Sequence, residues 1–225
     1  MKKRVGTFIL ALVMACSLAI PVGAVNVQQA PEELYQEYLN VVAAINEEYG
    51  TDVEIIPFEE MNHSDMPTVT ELETTVRELA ELQMKFAEGD VTVAPIEKSG
   101  GSTAVPMGGM GNYPVSTMVV GTVGEKTFRF FVSVTLIIST PSGTPSYYIQ
   151  ATSNSNVTAY TVPSGYTVDG TGYLVTTTVS SNKRTCTIAK TFRVKKDSAY
   201  TSVRPTATFI VNAQTGNISS SNHGM

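Results

Sequence analysis

Between residues 127 and 139 the apolar side chains fall on every second position, so that Phe128, Phe130, Val132, Val134, Leu136 and Ile138 share one face. Successive side chains of a strand point to opposite sides, and this period of two predicts a half-buried β-strand. Thr127, Arg129, Ser133 and Thr135 make the opposite face, interrupted by Phe131 and Ile137. Further strands are predicted at 115–123, 146–152, 157–162, 173–180, 185–194 and 206–213. Turn formers such as Pro141-Ser142-Gly143, Pro163-Ser164-Gly165 and Asp169-Gly170 separate them. Hairpin-like spacing favours antiparallel pairing. About seven strands in this length suit a β-sandwich or a strongly curved sheet.

Upstream the period changes. Leu34, Tyr38, Val41 and Ile45 recur at helical spacing after Pro31, a first-turn proline, and Gly50 stops the run. A short extended piece, Val53 to Ile56, ends at Pro57. A second helix is expected after Pro67, with Thr68 and Glu71, or Thr70 and Glu73, as a capping box. Its stripe is Val69, Leu72, Val76, Leu79 and Phe86, and Gly89 ends it. The predicted fold class is therefore α+β: a helix–strand–helix unit followed by the antiparallel strands. Residues 99–114 hold five glycines without periodicity and read as a linker. The expected organisation is a leader over 1–24, an acidic helical region over 25–98, the linker, a β-rich domain over 115–218 and a disordered tail over 219–225.

The leader is read from three features. Lys2, Lys3 and Arg4 open the chain, a nearly uncharged apolar run follows to Val22, and Pro21 precedes the small residues Gly23 and Ala24. That order predicts a secretory signal peptide cleaved after Ala24, and so a secreted, bacterial-type protein. An uncleaved anchor is the alternative. A lipid attached at Cys16, in Val13-Met14-Ala15-Cys16, is a second one that Met14 fits poorly. Without the leader the only cysteine is Cys186, so no internal disulfide can form and packing alone must hold the fold.

Charge divides the chain. Residues 25–97 contain 17 acids against Arg77 and Lys85, whereas 98–225 contain ten lysines and arginines against Glu125, Asp169 and Asp197. Two readings follow: the acidic helices dock on the basic strands, or they are solvated for solubility. Among the basic residues, Lys183, Arg184, Lys190, Arg193, Lys195, Lys196 and Arg204 crowd one segment with Phe192 and Tyr200. They form a candidate patch for an anionic cell-surface polymer or protein. The plainer reading is a solvated edge strand guarded by lysines. The excess of acids in an exported chain speaks against nucleic acid as a partner.

Candidate chemistry is sparse. Gly108-Gly109-Met110-Gly111 lacks the Lys-Ser/Thr and the helix of a phosphate loop, and no His-Glu-X-X-His, calcium loop or Gly-X-Ser-X-Gly is present. Glu59, Glu60, His63 and Asp65 are the metal-ligand candidates, at a spacing that matches no known site; a polar loop explains the same residues. His223 falls in the Ser/Asn/Gly-rich tail, and Cys186 alternates with Ile188 as a core position does. Tyr147, Tyr148, Tyr160, Tyr166, Tyr173 and Tyr200 are enriched around the strands, either half-buried or available for stacking on a ligand. No cofactor is expected. The leading expectation is an exported, non-enzymatic binding or structural module. The alternatives are a secreted hydrolase using carboxylates or a metal, recognisable by a cleft in which Glu59, Glu60, His63 or Asp65 meets Asp169 or Asp197, and a component of a larger extracellular assembly.

Overall fold

The computed structural model describes residues 30–93, 97–98, 110–141, 143 and 146–221. The expectations for the leader, Ala24, Cys16 and His223 lie outside these residues. Both helices form where the periodicity places them. Helix α1 spans Pro31–Tyr49 and α2 spans Val69–Glu88. Thr68 caps α2 in a complete box with Glu71: its side chain accepts from the Glu71 N–H, and the Glu71 carboxylate accepts from the Thr68 N–H. Gly50 and Gly89 end the helices with left-handed backbones, φ 66° and 71°.

Thirteen strands among the described residues pair antiparallel in three sheets. The first sheet is built on three long strands, β4 (Met110–Val123), β5 (Lys126–Ser139) and β6 (Tyr148–Thr161), in that order. Two short strands, β2 (Thr92–Val93) and β3 (Glu97–Lys98), pair with the free side of β4. The second sheet runs β1 (Glu54–Ile55), β11 (Ala199–Val203), β10 (Phe192–Lys196), β7 (Tyr166–Asp169). The third runs β13 (Ile218–Ser221), β12 (Thr206–Val211), β9 (Thr185–Ala189), β8 (Thr176–Val179).

All six alternating residues of β5, from Phe128 to Ile138, are buried as the pattern predicts. Phe130 sits edge-on to Phe86 of α2, centroids 5.4 Å apart, and against Phe192 of β10 at 5.0 Å. Phe128 meets Tyr166 of β7 edge-on at 5.0 Å. The far half of β5 belongs to the same continuous core, together with Cys186, Ile188, Phe209 and Val211 of the third sheet.

Several strand boundaries differ from the sequence expectation. The strand expected at 185–194 is two, β9 and β10, which belong to different sheets and part at Lys190 and Thr191. Alternation persists on both sides of the break and hides it. The two strands expected at 146–152 and 157–162 are one, β6, in which Ser153 and Asn156 pair with β5 and Asn154-Ser155 form an irregularity between them. Asn154 takes φ 53° and the register against β5 slips at three places, so irregularities absorb the residues that otherwise break a strand. Strand β4 begins at Met110, inside the expected linker, despite Gly111 and Pro114. Residues 219–221 of the expected disordered tail belong to β13 and pair with β12. β2, β3, β7, β11 and β13 are additional to the seven strands read from the pattern.

Gly121 of β4 shows how closely α2 approaches the sheet. A Cβ there would lie 2.6 Å from Cε2 of Phe86, a ring already fixed against Phe130. Gly121→Ala should lower the unfolding free energy by about 1–3 kcal/mol, the usual cost of overpacking. Urea unfolding with an unchanged slope would check it.

Candidate functional site

Helix α2 is central to the docking of the two oppositely charged halves. Leu72, Val76, Leu79, Leu82 and Phe86 are buried, against α1, β11, β10 and β4. Each such side chain contributes about 1.5–3 kcal/mol, so apolar burial dominates the docking. One charge cluster adds specificity. The Glu78 carboxylate accepts from Lys126 Nζ at 2.8 and 2.9 Å, from Lys196 Nζ at 2.6 Å and from the Tyr166 hydroxyl at 2.5 Å. Burial pushes this carboxyl up, but the bonds from Lys126, Lys196 and Tyr166 outweigh it and hold it at about 2. Burial, and then the Glu78 carboxylate, push the Tyr166 hydroxyl up to about 12. Polar contacts continue along the seam: Thr201 donates to Gln83 at 2.7 Å and Tyr200 donates to Glu54 at 2.6 Å.

Beside this seam lies an open cleft of about 760 Å³. Three pieces of chain build it: the connection from Ile56 to Pro67, the first turns of α2, and the tight β10–β11 turn. Asp197 takes φ 50° in that turn, a conformation Asp tolerates better than most residues. The Ile56 N–H donates to Ser198 O at 2.9 Å, which ties the connection to the turn. Ile56, Met61, Met66 and Pro67 supply apolar lining; Glu60, Asp65, Glu71 and Asp197 supply carboxylates. Thr75 donates to Asp197 Oδ2 at 3.2 Å. The backbone and side chain of Thr68 hold the Glu71 carboxyl below its ordinary range. Among the described residues, the carboxylates of Glu60 and Asp65 carry neither a hydrogen bond nor an ion pair.

The structure separates the metal-ligand candidates. Glu60 and Asp65 line the cleft, whereas Glu59 and His63 do not. His63 folds back on Phe58, rings stacked 4.2 Å apart, with Nε2 2.9 Å from Phe58 O. Among the described residues no three His, Cys, Asp or Glu side chains gather closely enough to hold a metal ion. Of the two acids that a catalytic cleft was expected to recruit, Asp197 is present; Asp169 lies in β7, opposite Arg193, where it accepts from the Thr171 N–H at 2.7 Å.

The seven basic residues do not form one surface. Lys196 points inward to Glu78. Arg184 donates to Ser146 at 3.1 Å, and Lys183 lies 5.7 Å over the Tyr148 ring at the start of β9. Lys190 covers Phe192, and Arg204 is exposed between β11 and β12. Arg193 and Lys195 remain together on the outer face of β10, with Arg193 over the Tyr200 ring at 4.7 Å. Three strands and a sheet change intervene between Lys183 and Arg204, which look contiguous in sequence. The tyrosines scatter in the same way: Tyr147 and Tyr166 are buried, while Tyr160 is exposed. Met61, Met66 and Thr75 were not among the site residues anticipated from the sequence. The available signal for the turn was Asp197-Ser198 between two short alternating runs, the length of a tight hairpin.

The Glu78 cluster has a pH consequence. Its folded value, about 2, is below the ordinary 4.5, so the stabilisation is complete above about 4.5 and is lost as pH falls from there toward 2. Glu78→Gln should flatten the acid limb of the stability profile and cost roughly 1–3 kcal/mol at neutral pH; denaturation measured from pH 7 to pH 3 on both proteins checks it. No protein-family model, curated protein or solved structure matches the chain.

Proposed function

We propose that the protein is an exported, non-enzymatic binding module and that the cleft beside the start of α2 is its binding site. The observation that carries the reading is the cleft itself. Segments from distant parts of the chain converge on a concavity with an apolar lining and a few polar groups that lack partners, the usual composition of a ligand site. Its acids are suited to holding a ligand. Glu71 and Asp197 accept hydrogen bonds from Thr68 and Thr75, which hold their carboxyl groups in place at the cleft.

Export is supported by the order of Lys2-Lys3-Arg4, the apolar run and Val22-Gly23-Ala24. The remaining thiol suits an oxidising compartment: burial pushes the Cys186 side chain up to about 11 and keeps it inert. None of the described helices is long and apolar enough to cross a membrane. An anionic partner, as weighed from the basic run, has Arg193 and Lys195 left to engage it on the outer face of β10. One observation favours a second reading, a carboxylate hydrolase: Glu60, Asp65 and Asp197 line one cleft.

A photo-crosslinking residue at Asn62, inside the cleft, should capture an envelope or medium component when the chain is expressed in its native cell. The same group at Ala87, exposed near the end of α2, should not. Equal labelling from both positions, or none, overturns the reading, and turnover of the captured component would favour the hydrolase. The secreted form should begin at Val25 by intact mass, and a product retaining residues 1–24 would refute cleavage after Ala24.

A further inference from the structure

We infer that the ligand of the cleft presents an ammonium or guanidinium group on an aliphatic stem, as a lysine- or arginine-rich peptide segment does. This rests on the cleft being the binding site. Four carboxylates and one ammonium line it, and that ammonium, of Lys196, is bound to Glu78 at 2.6 Å. The field of these described residues is therefore negative, and an anionic ligand entering the cleft meets like charge with no free cation among them to receive it. Glu60 and Asp65 come from either side of Met61 and, among the described residues, carry no hydrogen bond or ion pair on their carboxylates, which leaves their acceptor capacity open. Each ionised carboxylate accepts only, so the complementary group must donate; Lys and Arg supply three and five donors.

The apolar lining restricts the ligand further. Ile56, Met61 and Met66 lie among the carboxylates. Thioethers adapt to irregular apolar shapes, and the methylene stems of Lys and Arg cover such surface while their charged heads reach polar groups. A small bare cation would leave this apolar part uncovered. The cleft volume, about 760 Å³, also exceeds what one ammonium group fills and suits a segment of peptide.

The test is an amide NMR titration of the full chain with three probes: tetralysine, the same peptide acetylated on every side-chain amine, and tetraglutamate. Tetralysine should shift the amides of Asn62, Asp65, Thr75 and Ser198. The Glu60→Gln/Asp65→Asn double variant should bind it about tenfold more weakly, with an unchanged melting temperature, because removing charge from an electrostatically complementary site weakens attraction. Raising the salt should weaken it as well. If the acetylated peptide or tetraglutamate shifts these amides as strongly as tetralysine, the cationic class is wrong while the cleft survives as a binding site. If the tetralysine shifts lie elsewhere, or the double variant binds it equally well, the inference also fails. If none of the three probes shifts the cleft and crosslinking from Asn62 captures nothing, the binding-site reading fails with it.

Discussion

A single helix with more apolar surface than one neighbour can cover determines how this protein is built. The buried residues of α2 occupy a sector wider than a simple stripe: Leu72, Val76 and Leu79 are joined by Thr75, Ala80, Leu82 and Phe86. Such a helix needs cover on more than one side. Here α1, the β1–β11–β10–β7 sheet and the end of β4 provide it. The N-terminal helices and the C-terminal strands consequently share one core. The oppositely charged halves of the chain are held together mainly by dispersion and dehydration, while Glu78 fixes the register of the contact through Lys126 and Lys196.

That division of labour explains what was legible in the sequence. Both helices are written in local signals: Pro31 and the Thr68–Glu71 box at their starts, Gly50 and Gly89 after their ends, and a clean apolar stripe. β5 is equally plain because one of its faces is wholly buried. Where a chain leaves one sheet and enters another without changing its alternation, as between Ala189 and Phe192, periodicity has no means of marking the event. β6 shows the reverse case: Asn154 and its neighbours look like a turn, yet long pairing with β5 retains them at the cost of slipped register. β11 is short, and two of its buried residues are Ala199 and Thr201, too small or polar to announce a core strand.

The candidate site was half legible for the same reason. Glu60 and Asp65 stand in an evidently polar connection, and their type alone singled them out. His63, chosen with them, is turned away by its stacking on Phe58. Asp197 belongs to the site only because β10 and β11 fold into a hairpin and lie under α2. The basic run at 183–204 misleads in the opposite direction. Its residues are close in sequence but divided between β10 and the connections before β9, before β10 and after β11, and one of them, Lys196, pairs with Glu78 of α2.

The distance along the chain between α2 and its cover has a consequence for assembly. Glu78 waits for Lys196, Gln83 for Thr201 and Glu54 for Tyr200, each more than a hundred residues later. Contacts so remote carry a loop-closure cost before any stabilisation returns, which slows folding. During synthesis α2 emerges after α1 but well before β10 and β11, so the side of its apolar sector that faces those strands stays without cover until they are made. Late completion of the core keeps the nascent chain threadable, a property that suits the export proposed here. The hairpin of β10 and β11 is the element that closes the long loops back to α2 and β1.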